Sequence, residues 1–597
     1  MSALPEGNRG LTSALTRRSV VRGGLLGGAG LAAAALVGCR SAAPANAPAP
    51  PSAGGAAGKP KLLNEDLLAI NDPNSKYPFV APEPDLPPKR GGTLKGAWNF
   101  DLASMDPTVS TSNSTLAIVN TVGDRLLDRA HGARLNPLKT DVIPGLATSW
   151  ELSPDGMTYT FKLTDKAKFH NKPPVNGRLL TAEDVLKVYE RYRTTGVSRS
   201  YFTTVDTMRA VNATTLQIKL KKPQPDFIIP LAARELVTYA PEMLDTGQLT
   251  KNQDVIGTNG YILVSAERGG LQKFTKNKDY WRGDPYMDGI EWRAYPDQGG
   301  KDTRLALYRT GQVDIGESIV ATQREADAVK ATNPDSIILS LPVVRGAQIL
   351  GYQMKNPKWQ DDRLRQALSL AYDREGFNQI INEGAGVAFI NFLPWTYLFD
   401  RLPAPNVMGP WFRYDIAEAK KLLAAAGFAD GFSFEFLRST SYTTDASLSF
   451  TLDTLKKAGI TVNAKTLDVT SFNSQWQSQA YPDTANGPGV GYVADTFYKE
   501  QVRTGASLNR WNISDPQLDE WADQQSAELD PKKRKDILRK IWDRKGEKMY
   551  QLDGPGAGGG GTVYPAYLRN YRINAVISWL SPGGDWGTYA YEAWMNK

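Results

Sequence analysis

The sequence predicts a mixed α/β (α+β) protein of two or three lobes, and three observations carry that expectation. Segments that alternate apolar and polar residues, as strands do, are interleaved with segments whose apolar residues recur at helical spacing. The chain has 597 residues, far more than the ~250–300 at which a single core stops growing. It holds one cysteine, so the fold must stand without an internal disulfide.

The elements follow in order. Thr16-Arg17-Arg18-Ser19-Val20-Val21-Arg22 precedes an apolar run, Gly23 to Gly38, and then Cys39. A basic stretch, a short apolar stretch and small residues before a cut mark residues 1–38 as a secretory signal peptide. The pair Arg17 and Arg18 points to a twin-arginine (Tat) export signal. The apolar run is shorter than the roughly 20 residues that a spanning helix needs. Cys39, a lone thiol at the cut, is the expected lipidation site of a lipoprotein. Residues 39–89 are rich in Ala, Pro, Gly and Ser, the composition of a flexible tether.

The folded body starts near Lys89-Arg90-Gly91-Gly92. Thr93–Trp98 alternates like a strand, and Ser104-Met105-Asp106-Pro107 breaks the pattern. Leu116, Val119, Val122 and Leu126 predict a helix over 115–127. Pro154-Asp155-Gly156 predicts a hairpin turn before the strand Thr158–Leu163. Thr181 predicts a helix cap, with Glu183 and Asp184 at the positive end of the dipole. Arg363, Arg365, Asp373 and Arg374 flank an apolar helix and read as a solvated face with local ion pairs. Trp150 and Trp281 read as core aromatics.

Composition narrows the function. The formal charge of +7 owes much to Arg9, Arg17, Arg18 and Arg22 in the signal, and no dense basic stripe is present. Nucleic acid is therefore not an expected partner. The only histidines are His131 and His170, too few for a multi-histidine metal site. No Gly-x-Ser-x-Gly elbow and no phosphate-binding loop occurs. We expect no catalytic residue, no metal and no cofactor, hence no enzyme. A secreted glycoside hydrolase using two carboxylates is the alternative from a different class, because any two of many acids could meet in space.

An ordered set of motifs says more. It runs from Arg90-Gly91-Gly92-Thr93-Leu94 through Pro144-Gly145-Leu146-Ala147, Trp150-Glu151 and Asp155-Gly156-Met157-Thr158-Tyr159-Thr160-Phe161. It continues with Lys168-Phe169-His170, Leu180-Thr181-Ala182-Glu183-Asp184, Gly257-Thr258-Asn259-Gly260-Tyr261, Asp279-Tyr280-Trp281 and Gly311-Gln312-Val313-Asp314. Asp362 to Arg374, Tyr414-Asp415 and Asp515-Pro516 close the set. Together these resemble the extracellular solute-binding proteins of peptide/nickel-type ABC importers (family 5), over about residues 90 to 597. Asn259-Gly260 and Asn171-Lys172 depart from the family's usual pattern.

The resemblance implies a periplasmic-binding-protein type II-like fold: two lobes, a hinge and an extra subdomain. Lobe I is expected at 90–123, 256–342 and 562–597, its extra subdomain at 124–255, and lobe II at 343–561. The implied function is capture of a peptide or similar small solute in the interlobe cleft and delivery to an ABC permease. The implied setting is an extracytoplasmic monomer moored to the membrane by its lipid. An oligosaccharide or chelated nickel is the alternative solute. Gly489-Val490-Gly491-Tyr492-Val493-Ala494-Asp495 resembles the segment that carries an ammonium-binding aspartate, so Asp495 is the first ligand-binding candidate. Arg345 is a candidate for a ligand carboxylate. Tyr492, Trp395, Trp411 and Trp476 are candidate stacking walls.

Overall fold

The computed structural model describes residues 87–596 except 99–100, 103, 130–141, 245, 250, 252–253, 296, 321–322, 340–346, 383–396, 400–406, 441, 487–493, 507, 556–560 and 570–585. Three sheets organise them. The first has seven strands, in spatial order Ser336–Leu339, Gly561–Pro565, Ile315–Val320, Thr93–Trp98, Gly289–Ala294, Leu271–Lys276 and Tyr261–Ala266. Thr93–Trp98 runs parallel to Gly289–Ala294 from the pair Thr93↔Gly289. The last three strands form an antiparallel meander. The second sheet has five strands, in the order Ile460–Leu467, Phe432–Ser439, Thr484–Ala485, Ala347–Tyr352 and Gln551–Gly554. The third is a four-stranded antiparallel sheet, Ala147–Leu152, Thr158–Leu163, Thr215–Leu220 and Val205–Asn212.

The chain passes from the seven-stranded sheet to the five-stranded sheet between Leu339 and Ala347. It returns between Gly554 and Gly561. The apolar residues divide in the same places. One core cluster takes its side chains from between Leu94 and Trp292, with Ile315, Tyr564 and Met595. A second lies wholly between Ile349 and Leu552.

Local chemistry explains the elements that the sequence predicts. The strand Thr93–Trp98 is central because its inward residues, Leu94 and Trp98, are buried, and Trp98 meets Trp292 edge-on at 4.7 Å. Gly96 lies flat against the Trp292 ring, where an added Cβ would come within 2.0 Å of a ring carbon. Gly96→Ala should therefore cost about 1–3 kcal/mol by overpacking, read as a lower urea midpoint. The turn at Ser153–Gly156 joins its two strands through the Gly156 N–H, which donates to the Ser153 carbonyl at 2.8 Å. Gly156 takes a φ of +72° there. The helix Ala182–Thr194 opens with a capping box between Thr181 and Asp184.

Two expectations are corrected. The helix predicted over 115–127 spans Asn113–Val122. It stops at Gly123 because the backbone there closes on Thr238, whose carbonyl oxygen would lie 2.5 Å from any Cβ. Leu127 then enters a short strand with Pro144. Arg365 and Arg374 are not on a solvated face; both are buried. Their guanidinium groups donate to backbone carbonyls, Arg365 to Trp359 and Lys548, Arg374 to Ser369 and Asp553. A guanidinium carries five donors, so backbone carbonyls that face it, here including those near two helix C-termini, can hold it inside. Arg363 is exposed and paired with Asp361 at 2.6 Å, as expected, and Arg365 keeps an expected local pair, with Asp362, despite its burial.

Much of the recurring motif set serves the first core. Asp124 is buried and accepts from Thr258 Oγ1 at 2.8 Å, Trp281 Nε1 at 3.0 Å and Tyr280 OH at 3.1 Å. Burial holds its pKa above the ordinary carboxylate value, against the pull of Arg282. Asp128 accepts from Arg282 at 2.6 Å and from Arg125 at 3.2 Å. Asn259, one of the departures from the family pattern, donates its amide to the carbonyls of Asn120, Gly123 and Thr588. Its own carbonyl accepts from Asn277 at 3.1 Å and lies 2.9 Å from His170 Nε2. These residues build a scaffold.

Candidate functional site

Asp495 lies in the short helical turn Ala494–Phe497 and is 2% exposed. Its two carboxylate oxygens face different parts of the chain. Oδ2 accepts from Gln224 Nε2 at 2.7 Å, and Oδ1 from Gln525 Nε2 at 3.1 Å. Gln224 follows the third strand of the four-stranded sheet, and Gln525 lies near the end of the helix Pro516–Ala527. Asp495 thus stands where the first and second core regions meet.

The two amides are oriented by second partners. Gln224 Oε1 accepts from Thr204 Oγ1, and Gln525 Oε1 accepts from Arg534 Nη2 at 3.1 Å. Each glutamine therefore turns its N–H toward the carboxylate. Arg534 is itself anchored across the same junction. It makes a bidentate pair with Asp226, 2.6 Å for Nη1 to Oδ1, the second bond joining Nη2 to Oδ2. Its Nε donates to the Gln525 carbonyl at 3.2 Å, and its guanidinium stands 5.8 Å from the Tyr397 ring centre. Burial works against the Arg534 charge, but Asp226 outweighs it and holds the pKa above the ordinary value. Bidentate guanidinium–carboxylate bonds of this kind are both strong and directional.

The other predicted site residues are distributed as follows. Trp476 is buried in the second core, stacked on Phe472 with ring centres 6.5 Å apart and with Arg510 over its face at 5.7 Å. Trp411 is half-buried against the same core, and its carbonyl accepts from Ser369 Oγ at 2.6 Å. Neither tryptophan contacts Asp495 by a hydrogen bond or a ring. Tyr492, Arg345, Trp395, Cys39, Arg17 and Arg18 lie outside the described residues, as does His131. His170 is 1% exposed and belongs to the scaffold. Burial pulls its pKa down to about 4.

Sequence reasoning missed Gln224, Asp226, Gln525 and Arg534. One signal was available for Arg534. It sits in the basic run Lys532-Lys533-Arg534-Lys535, which reads as a solvated face. Yet it falls in register with Leu538, Ile541 and Lys545, the buried stripe of the helix Pro531–Lys548. Nothing local marks Asp226, whose partner is 308 residues away.

Among the described residues no group of three or more His, Cys, Asp or Glu side chains could hold a metal ion. No helix among them is long and apolar enough to cross a membrane.

Comparison with known proteins identifies the family of the chain. The dipeptide-binding protein of Escherichia coli (strain K12) is 28% identical over 322 residues, 50% of this chain and 57% of that protein. The heme-binding protein A of Haemophilus influenzae is 27% identical over 368 residues, 58% of this chain and 62% of that protein. The chain thus spans less than two thirds of the length of these curated relatives. Among solved structures, the oligopeptide-binding protein AppA from Bacillus subtilis, in complex with a nonapeptide, superposes with a TM-score of 0.69 at 20% identity. That match covers 86% of this chain and all of AppA. The model of the bacterial extracellular solute-binding proteins, family 5 (middle region), matches residues 141–510. With most of its length inside that match, the chain belongs to the family 5 bacterial extracellular solute-binding proteins.

Proposed function

We propose that this protein is an extracytoplasmic receptor that captures a peptide or similar small solute between two halves and delivers it to the permease of an ABC importer. The observation that carries the reading is the position of Asp495, a buried carboxylate reached by amides from both core regions. Family membership and the peptides named for its relatives support it. Lobe I comprises 90–123, 256–342 and 562–597, its subdomain 124–255, and lobe II 343–561. The double passage of the chain between the two large sheets supports this division. Two connections restrict the halves to bending, so a solute that touches both favours closure.

In this reading Asp495 takes the ammonium of the solute by a charge-assisted hydrogen bond, and Arg345 takes a carboxylate. Tyr492, Trp395, Trp411 and Trp476 supply apolar wall. Cys39 carries the lipid after export directed by Arg17 and Arg18, and the protein works as a monomer. No observation favours the oligosaccharide, nickel-chelate or hydrolase alternatives.

A thermal-shift screen of di- to nonapeptides tests the reading. A true solute at a hundredfold excess over its Kd should stabilise the protein by about 2.7 kcal/mol. A screen in which no peptide raises Tm overturns the assignment of peptides. Asp495→Asn should abolish the shift for a peptide with a free amino terminus; it should also lower the unliganded Tm, because one glutamine N–H then faces a second donor.

A further inference from the structure

The junction around Asp495 contains more than a ligand site requires. Asp226 and Arg534 are both buried, and their bidentate pair joins the rim of the four-stranded sheet to the first turn of the helix Pro531–Lys548. Removing two charges from water is costly, and the cost is offset only where the geometry is good. With both partners in place the pair holds two surfaces in one register, and with one partner removed the other is left as a buried charge that the apposed state can no longer balance. Separating the partners by sequence as far as these are means that neither local fold needs the other.

Further contacts line up at the same junction. An added Cβ at Gly156 would lie 3.1 Å from Leu529 Cδ1 and 3.5 Å from Pro223 Cβ. The turn of the four-stranded sheet is thus packed against the elbow between the helices Pro516–Ala527 and Pro531–Lys548. Gln224 and Gln525, each locked by its own second partner, present one N–H apiece to Asp495. An amide donated to each oxygen from a different part of the chain aims the carboxylate group.

We propose that Asp226 and Arg534 form a clasp that draws the two halves together before solute arrives, and that Gln224 and Gln525 thereby set the orientation of Asp495. Asp226, Arg534, Gln224 and Gln525 are positioning residues here; Asp495 is the group that meets the solute. The clasp rests on the two-half reading above. It adds a consequence for affinity: a receptor already closed part of the time spends less of its binding free energy on closure.

The test needs no solute. Nitroxide labels are placed at Val211→Cys and Ile380→Cys, both on exposed side chains, in full-length protein carrying Cys39→Ser. Double electron–electron resonance then reads the separation of the halves. The expected result is one narrow distance in the parent and a second, longer distance in Asp226→Asn. Breaking a buried pair should shift the ratio of closed to open on the order of a hundredfold. Asp226→Glu should restore the narrow distance, which a general loss of packing would not. An unchanged distribution in Asp226→Asn, or a broad one in the parent, overturns the clasp. Should Asp226→Asn fail to fold, a short bismaleimide is applied to Pro223→Cys/Leu529→Cys in the same background. Rapid crosslinking without solute supports the clasp, and its absence overturns it. Neither outcome touches the peptide screen, so failure of the clasp and failure of the solute reading are separable.

Discussion

Asp128→Ala should be the most damaging single substitution in the first core, costing about 3–5 kcal/mol. Asp128 is 1% exposed and accepts from two guanidinium groups, Arg282 at 2.6 Å and Arg125 at 3.2 Å. Removing it takes a carboxylate from between two largely buried guanidinium groups, and desolvation disfavours the charge it had balanced. Arg125 retains Tyr589 OH at 2.9 Å, and Arg282 retains the face of Trp281 at 4.6 Å. Neither neutral group replaces a carboxylate. The expected readout is a drop in Tm of about 3–5 °C. The comparison is Asp206→Ala, which removes an exposed partner of Lys219 and should change stability by less than ~1 kcal/mol. Equal effects of the two substitutions would refute the account of this network.

Mild acid should weaken the protein through His170. Burial pulls its folded pKa down to about 4, below the unfolded value of about 6.5. Between those values the unfolded chain holds a proton that the folded protein refuses. Stability from this group is therefore fully present above about pH 6.5 and is lost as the pH falls toward about 4, in total about 3 kcal/mol. The geometry gives the same sign. His170 Nε2 faces the Asn259 carbonyl at 2.9 Å, and Nδ1 has no hydrogen-bond partner among the described residues. A second ring proton would find no acceptor. His170→Gln, which keeps a donor for Asn259, should flatten the fall of Tm between pH 6.5 and 4. An identical pH profile in the variant would remove His170 as the cause.

Elements set by neighbours in sequence were legible without coordinates. Thr93–Trp98, the Ser153–Gly156 turn and the Thr181 cap each depend on residues within a few positions of one another. The ordered motifs were legible too, although their work is largely structural: Tyr280 and Trp281, through Asp124, and Asn259 hold the first core together. The clasp was not legible, because Asp226 and Arg534 are brought together by the packing of distant elements. Arg365 and Arg374 were misread for a related reason. Charge predicts exposure only when no cluster of carbonyls awaits the side chain, and the carbonyls of Trp359, Ser369, Lys548 and Asp553 are supplied by the fold.

The strand Gly561–Pro565 sits inside the seven-stranded sheet, with Ile315–Val320 on one side and Ser336–Leu339 on the other. It is made after both of these neighbours, with the whole five-stranded sheet in between. A nascent chain that has not yet reached it carries two strands with open hydrogen-bonding edges, for the whole time that the intervening residues are being made. Every truncation that removes this strand inherits the same sticky seam, so the seven-stranded sheet closes only after the five-stranded one has been made.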